Sequence, residues 1–268
     1  RFKSGDTMIT DPTAIANSFC KYFTEIGASI ARTIPSIHSS FYDYLGPAVR
    51  ETIFLKPVAI IELKTFCMSS KNGKAPGYDH ISMFVIKRSL HWISESLTHL
   101  INTSLETGIF SDKPKLVKII PIFKTSDTDT FTNYRLISIL SSFSKMYERV
   151  LYNRLAQFID KFEILYKFQL GFRSNHSTNF ALTHLINKIV TAIDRKEMTA
   201  GVFLDLCKAF DILNYDILFS ELERYGIRGM ALENNLSNLV MFPQLTILDT
   251  VVYSGMESVS IVFQFIYK

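Results

Sequence analysis

The chain has 268 residues, 47% of them hydrophobic and 13% aromatic, enough to bury a sizeable core in one or two domains. Its formal net charge of +4 admits a polyanionic partner without demanding one. Three cysteines, Cys20, Cys67 and Cys207, lie too far apart for a disulfide framework or a zinc spacing, and no apolar run reaches the ~20 residues that span a bilayer.

The chain opens on Arg1 without a visible signal peptide and reads as a piece of a longer reading frame. Asp11-Pro12 predicts a helix start, with Asp as N-cap and Pro at the first helical position. Ile15, Phe19, Tyr22, Phe23, Ile26 and Ile30 follow at helical spacing, the pattern of an amphipathic helix docked on a core. Residues 32–56 hold Pro35, Gly46 and Pro47 among serines and read as a linker. A second helix is predicted from Pro57 to about Ser69. A basic loop punctuated by Gly and Pro comes next, Lys71-Asn72-Gly73-Lys74-Ala75-Pro76-Gly77-Tyr78-Asp79-His80. A long helix over 82–107 has Leu97, Leu100, Ile101 and Leu105 as core positions.

Residues 113–124 read as a strand with lysines at its margins, and Lys124 by itself reads as a solvated lysine at the strand end. Asp127 and Asp129 lie in a polar loop, and Asn133 to Leu140 begins another ordered segment. Leu140, Phe143, Tyr147, Leu151, Leu155 and Phe158 mark one helix face, with Arg149 and Arg154 off the stripe and read as solvated. Gln169-Leu170-Gly171-Phe172-Arg173-Ser174-Asn175-His176-Ser177-Thr178 reads as a glycine turn, a basic loop and a Ser/Thr cap. The helix it opens turns Leu182, Leu185, Ile186, Ile189 and Ile193 inward.

Residues 201–206 form a short apolar run with one charge, Asp205, the pattern of a buried strand. Burying an ionised carboxylate costs several kcal/mol unless it is paired, hydrogen-bonded or holding a metal. A helix follows with Leu218, Leu222 and Tyr225 on one face, stopped by Gly226. Asp205 thus falls near a strand end leading into a helix, where α/β proteins place their sites, and a turn or cap role is equally open.

Val202-Phe203-Leu204-Asp205-Leu206-Cys207-Lys208-Ala209-Phe210-Asp211 resembles the first catalytic motif of the reverse transcriptases of non-LTR retrotransposons, the jockey-like and related LINE elements. Three upstream stretches resemble further boxes of that family in the same order. Residues 71–80 are similar to its K-A-P-G-x-D-G-I box, with His80 for the usual Gly, which removes a positive-φ option. Residues 115–140 are similar to its P-I-x-K and N-Y-R-P-I-S pair, a finger hairpin, with Leu136 for the Pro that stiffens a turn. Residues 169–178 are similar to its Q-x-G-F-R-x-x-x-S-T box. The resemblance covers roughly residues 57–230.

This resemblance implies an α+β fold, helix-rich, with the fingers and partial palm of a right-hand polymerase and a small, incomplete antiparallel sheet. It divides the chain into an upstream helix and linker at 1–56, a fingers-like part at 57–198, the first half of the palm at 199–232 and a degenerate tail at 233–268. The implied reaction is template-directed nucleotidyl transfer from a dNTP to a primer 3′-hydroxyl, with an RNA template, a DNA primer and Mg2+. Asp205 is the implied catalytic metal ligand, and Phe210 lies under the sugar of the incoming nucleotide. Arg135 takes its triphosphate, a task that a planar, permanently charged fork suits. Lys124 is a second phosphate contact, and Lys74 and Arg173 belong to a nucleic-acid footprint. The resemblance also implies an intracellular protein without a membrane partner, in cytoplasm and nucleus for the parent element.

Beyond Gly229 the boxes stop. The G-x-P-Q-G-S turn and the (F/Y)-A-D-D hairpin that should follow are not found, and the sequence contains no Asp-Asp pair. Glu233, Asp249 and Glu257 read as isolated surface residues. Two-metal transfer needs carboxylates around both ions, and Asp205 supplies one side chain. The expectation is a truncated polymerase that does not polymerise by itself. The alternatives are a non-catalytic nucleic-acid-binding remnant using Lys71–Lys74, Lys113–Lys124 and Arg173, a product that does not fold stably, and an unrelated α/β enzyme with Asp205 as base.

Overall fold

The computed structural model describes residues 1–4, 7–33, 48–111, 116–124, 126–166, 168–203 and 214–232. These fall into two compact units, one of residues 1–156 and 214–232, the other of residues 157–203. Six α-helices and two two-stranded antiparallel hairpins are present among the described residues, consistent with the α+β reading. None of these helices is long and apolar enough to cross a membrane.

The first unit begins with a hairpin of β1 (Phe2–Ser4) and β2 (Thr7–Ile9). Asp11 then caps α1 (Pro12–Thr33) as predicted, its Oδ2 accepting from the Ala14 N–H at 2.7 Å. The stripe from Ile15 to Ile30 is the inward face, with Phe19 buried. Phe19 meets Phe131 edge-on at 4.8 Å and Tyr134 at 5.1 Å, and Phe2 stacks on Phe131 at 5.2 Å. This aromatic cluster fastens the N-terminal elements to a second hairpin, β3 (Lys118–Phe123) and β4 (Tyr134–Ile139).

Helix α2 (Ile60–Ser69) starts after, not at, Pro57. The backbone before it has other partners. Asn102 pairs reciprocally with Val58, accepting from its N–H at 2.7 Å and donating to its carbonyl at 3.0 Å. The carbonyls of Lys56 and Pro57 accept from the Arg154 guanidinium at 2.9 and 3.3 Å. Arg154, predicted to be solvated, is buried, and it forks onto Glu62 with Nη1–Oε1 at 2.7 Å and Nη2–Oε2 at 2.8 Å. Arg149 is exposed, as expected.

Helix α3 (Met83–Thr107) is capped by Ser82 and stopped by Gly108 at φ 70°. Leu97, Ile101 and Leu105 are buried as predicted, but Leu100 is 63% exposed. It lies one ~100° step from Ile101, outside the buried arc. Helix α4 (Ser142–Lys161) buries Tyr147, Leu151, Leu155 and Phe158, and Tyr147 stacks on Phe110 at 4.4 Å. Burial pushes the Tyr147 phenol well above its usual pKa and the Cys67 thiol up as well.

The linker reading fails over its second half; residues 34–47 lie outside the described residues. Val49 donates to the Arg224 carbonyl at 2.9 Å and Ile53 to that of Gly226 at 2.8 Å, with the Ile53 side chain buried. The strap runs against the end of a later helix, Tyr215–Arg224, whose N-cap Asn214 accepts from Asp216 and Ile217. Gly226 stops this helix as predicted, at φ 89°. Its N–H reaches Glu223 at 3.1 Å and that of Ile227 reaches Leu222 at 2.9 Å, a Schellman closure.

The second unit contains α5 (Thr178–Asp194), so the helix over Tyr215–Arg224 is α6. The inward assignment along α5 is overturned: Leu182, Ile186 and Ile193 are 56%, 48% and 65% exposed, Ile189 is exposed too, and Leu185 is half-buried. The helix instead turns His184 and Lys188 toward Phe168. The buried-strand reading of 201–206 also fails where it can be seen. Gly201–Phe203 form no strand, with Val202 and Phe203 76% and 71% exposed, and residues 204–206 lie outside the described residues.

The Arg154–Glu62 pair generates the first prediction. Arg154→Leu lowers stability by roughly 3 kcal/mol, the low end for breaking a buried pair, because the Glu62 side chain keeps 28% exposure. The hydrogen bond from Arg154, with its charge, holds the Glu62 carboxyl below its ordinary value of 4.5 against the opposing effect of burial. A depressed folded pKa stabilises above the unfolded value, and that contribution is lost as pH falls below it. Urea unfolding at neutral and acid pH checks both: the acid-side loss tied to Glu62 is present in the wild type and reduced in Arg154→Leu.

Candidate functional site

The sequence-predicted cationic residues sit on three loops or strands, each positioned by local backbone chemistry. Loop 71–80 joins α2 to α3. Lys87 closes its start, donating to the carbonyls of Met68 at 3.0 Å and Ser70 at 2.5 Å. Gly77 is buried against the start of α4, where an added Cβ would stand 2.6 Å from the Ser141 nitrogen and 2.7 Å from its Cα. Only glycine allows so close a backbone approach. Ser142 Oγ donates to the Ile81 carbonyl at 2.9 Å, and Lys145 Nζ lies 3.5 Å from the Ala75 carbonyl. Asp79 Oδ1 accepts from the Ile81 N–H at 3.1 Å. His80 adopts φ 57°. The left-handed conformation that a glycine would take freely is therefore kept by histidine, contrary to the expectation that the substitution removes it. Lys74 is exposed on this loop.

The β3–β4 hairpin sets the second group. Ile122 stands opposite Arg135 and Phe123 opposite Tyr134, while Lys124 N–H donates to the Asn133 carbonyl at 2.7 Å. Alternation puts Tyr134 on the face that meets the aromatic cluster and Arg135, with Lys124 and Lys118, on the other. Arg135, Lys124 and Lys118 are exposed. Leu136, expected to loosen a turn, is within β4 opposite Pro121 and belongs to no turn.

The third group is the loop before α5, in the second unit. Gly171 and Phe172 form a turn as predicted, but its positive-φ residue is Phe172, at 57°, with Asn175 at 61° following, not Gly171. Ser177 caps α5 as predicted, accepting from the Phe180 N–H at 3.4 Å. Arg173 is half-exposed, its carbonyl accepting from the His176 N–H at 3.2 Å. His176 is a loop residue, with Nδ1 2.9 Å from the Ser174 carbonyl oxygen.

The structure thus brings Lys124 and Arg135 to one face, keeps Lys74 on another loop of the same unit, and carries Arg173 in the second unit. Asp205 and Phe210 lie outside the described residues. Among the described residues, no group of three His, Cys, Asp or Glu side chains could hold a metal ion. The described residues do not supply the donor set that a pair of divalent ions needs. Gly77 and Lys145 are what the sequence reading missed. A glycine in a Gly/Pro-rich loop does not announce what it packs against, and a lysine in a helix's first turn reads as solvated.

Residues 122–267 match the reverse transcriptase (RNA-dependent DNA polymerase) family. This match continues past Gly229, where the recognisable boxes end, so the likeness extends farther along the chain than short motifs trace. The RNA-directed DNA polymerase from mobile element jockey of Drosophila melanogaster is 34% identical over 170 residues, 63% of this chain and 19% of that protein. Its counterpart from Drosophila funebris is 33% identical over 159 residues, 58% of this chain and 17% of that one. The "Probable RNA-directed DNA polymerase from transposon BS" of Drosophila melanogaster is 31% identical over 199 residues, 72% of this chain and 22% of that protein. The chain spans about a fifth of the length of these curated relatives, 17–22%.

Loop 71–80 yields a paired prediction. Gly77→Ala destabilises by about 1–3 kcal/mol through overpacking against the α4 backbone. His80→Gly relieves a left-handed histidine and stabilises by up to about 1 kcal/mol once the entropy of glycine is deducted. Thermal melts of the two variants should shift in opposite directions.

Proposed function

The chain belongs to the reverse transcriptase (RNA-dependent DNA polymerase) family, and from that premise we propose that it is the fingers and partial palm of a jockey-like, non-LTR retrotransposon RNA-directed DNA polymerase. The family reaction is template-directed nucleotidyl transfer from a dNTP to a primer 3′-hydroxyl. Bound divalent ions would activate the attacking oxygen and stabilise the leaving one. Asp205 is proposed as their ligand from this chain, and Phe210 as the residue under the incoming sugar.

The register of the β3–β4 hairpin is the observation that carries the reading. It lies mostly within the family match and sets Arg135 opposite Ile122, on the face away from Tyr134, with Lys124 just beyond the strand's end. Arg135 offers a fork of donors to phosphate oxygens and Lys124 a point charge beside it. Lys74, in the same unit, is proposed as a further phosphate contact, and Arg173, in the second unit, as another. The aromatic contacts behind Tyr134 hold the hairpin still, so the cations are presented by a braced element.

Filter binding of an RNA template annealed to a DNA primer tests this. Log affinity should fall linearly with log salt, and Arg135→Ala should weaken binding and flatten the slope by about 1. Binding that ignores salt, or an Arg135→Ala chain identical to wild type, overturns the assignment. Primer extension with Mg2+ or Mn2+ should give no product from this chain alone, because Asp205 has no Asp-Asp pair elsewhere in the sequence to complete the metal site. Template-dependent synthesis would overturn that second part.

A further inference from the structure

We propose that Lys145, in the first turn of α4, pairs with Lys74 to hold one backbone phosphate of a nucleic-acid strand lying across loop 71–80. The inference rests on the nucleic-acid reading above and adds a residue to it.

Lys145 reaches up to the loop, its Nζ 3.5 Å from the carbonyl of Ala75, the residue next to Lys74. At that length the contact is at the limit of a hydrogen bond and leaves the ammonium's donating capacity largely unused. Downstream of Lys74, Gly77 is pressed on the backbone of Leu140 and Ser141 and Ser142 Oγ ties down the Ile81 carbonyl, while upstream Lys87 holds the carbonyls of Met68 and Ser70. The contact to Ala75 brings the Lys145 ammonium within electrostatic reach of the Lys74 charge.

That arrangement is unfavourable without a counter-charge. Burial, and after it the neighbouring charge of Lys74, push the Lys145 pKa down, while Glu148 and Asp79 offset part of the effect. Glu148 is buried on the same helix, and Asp79 spends Oδ1 on the Ile81 N–H. A phosphodiester fits what remains. It is compact, it stays ionised, and its two non-bridging oxygens can each take one ammonium. A lysine that merely tethered the loop would need no second cation beside it.

The test is filter binding of the RNA–DNA template-primer across a salt series, with wild type, Lys145→Gln, Lys145→Arg and Lys74→Gln. Lys145→Gln and Lys74→Gln should each weaken binding several-fold and lower the salt slope by up to about 0.9, while Lys145→Arg keeps the slope. A folded Lys145→Gln chain with wild-type affinity and slope overturns the proposal and leaves the wider reading standing. Should Lys145→Gln unfold in circular dichroism, the exposed Lys74→Gln decides: an unchanged slope there overturns it equally. A wild-type chain without salt-dependent binding overturns both this inference and the reading beneath it.

Discussion

A single desolvated guanidinium organises the first unit. Arg154 leaves water to join three pieces of chain: its own helix α4, the extended segment at Lys56 and Pro57, and the first turn of α2 through Glu62. Burying a charge of that size is costly, and the cost is met because its fork and Nε find two carboxylate oxygens and two carbonyls in good geometry. The bond also settles where α2 begins, since carbonyls committed to Arg154 and a backbone committed to Asn102 leave residues 56–58 extended.

From that joint the loop 71–80 follows. With α2 fixed on α4, the chain leaving α2 meets the start of α4 closely enough that Gly77 must be glycine. The same proximity places Lys145 under the loop and makes a basic turn into a fixed feature of the surface. The hairpin is braced by different physics. Apolar rings from β1 and α1 pack against Tyr134 on one face of the hairpin, and the exposed cations Arg135 and Lys118 lie on the other. The proposed polyanion-binding role thus depends on two rigid presentations, one ionic in origin and one aromatic.

The second unit shows the reverse balance. Its helix α5 carries an apolar stripe that its own unit leaves largely exposed, and its basic loop owes its shape to left-handed Phe172 and Asn175. Arg173 is therefore presented by backbone conformation more than by packing.

The sequence by itself determined what depends on neighbours along the chain. Caps at Asp11, Ser177 and Gly226, the faces of α1 and α4, the β3–β4 hairpin and the family's ordered boxes are all short-range patterns, readable because a few adjacent residues suffice to specify them. Tertiary structure decided what depends on residues far apart in the chain. Periodicity told which side of α5 was apolar but not whether anything covered it, and Leu100 fell outside the buried arc of α3 because the neighbours set its width. Arg154 looked solvated because its partners Lys56, Pro57 and Glu62 are more than ninety residues away in sequence. Gly77 and Lys145 acquired meaning only when α4 came to lie beneath the loop, since a contact is a property of two segments and a linear pattern describes one.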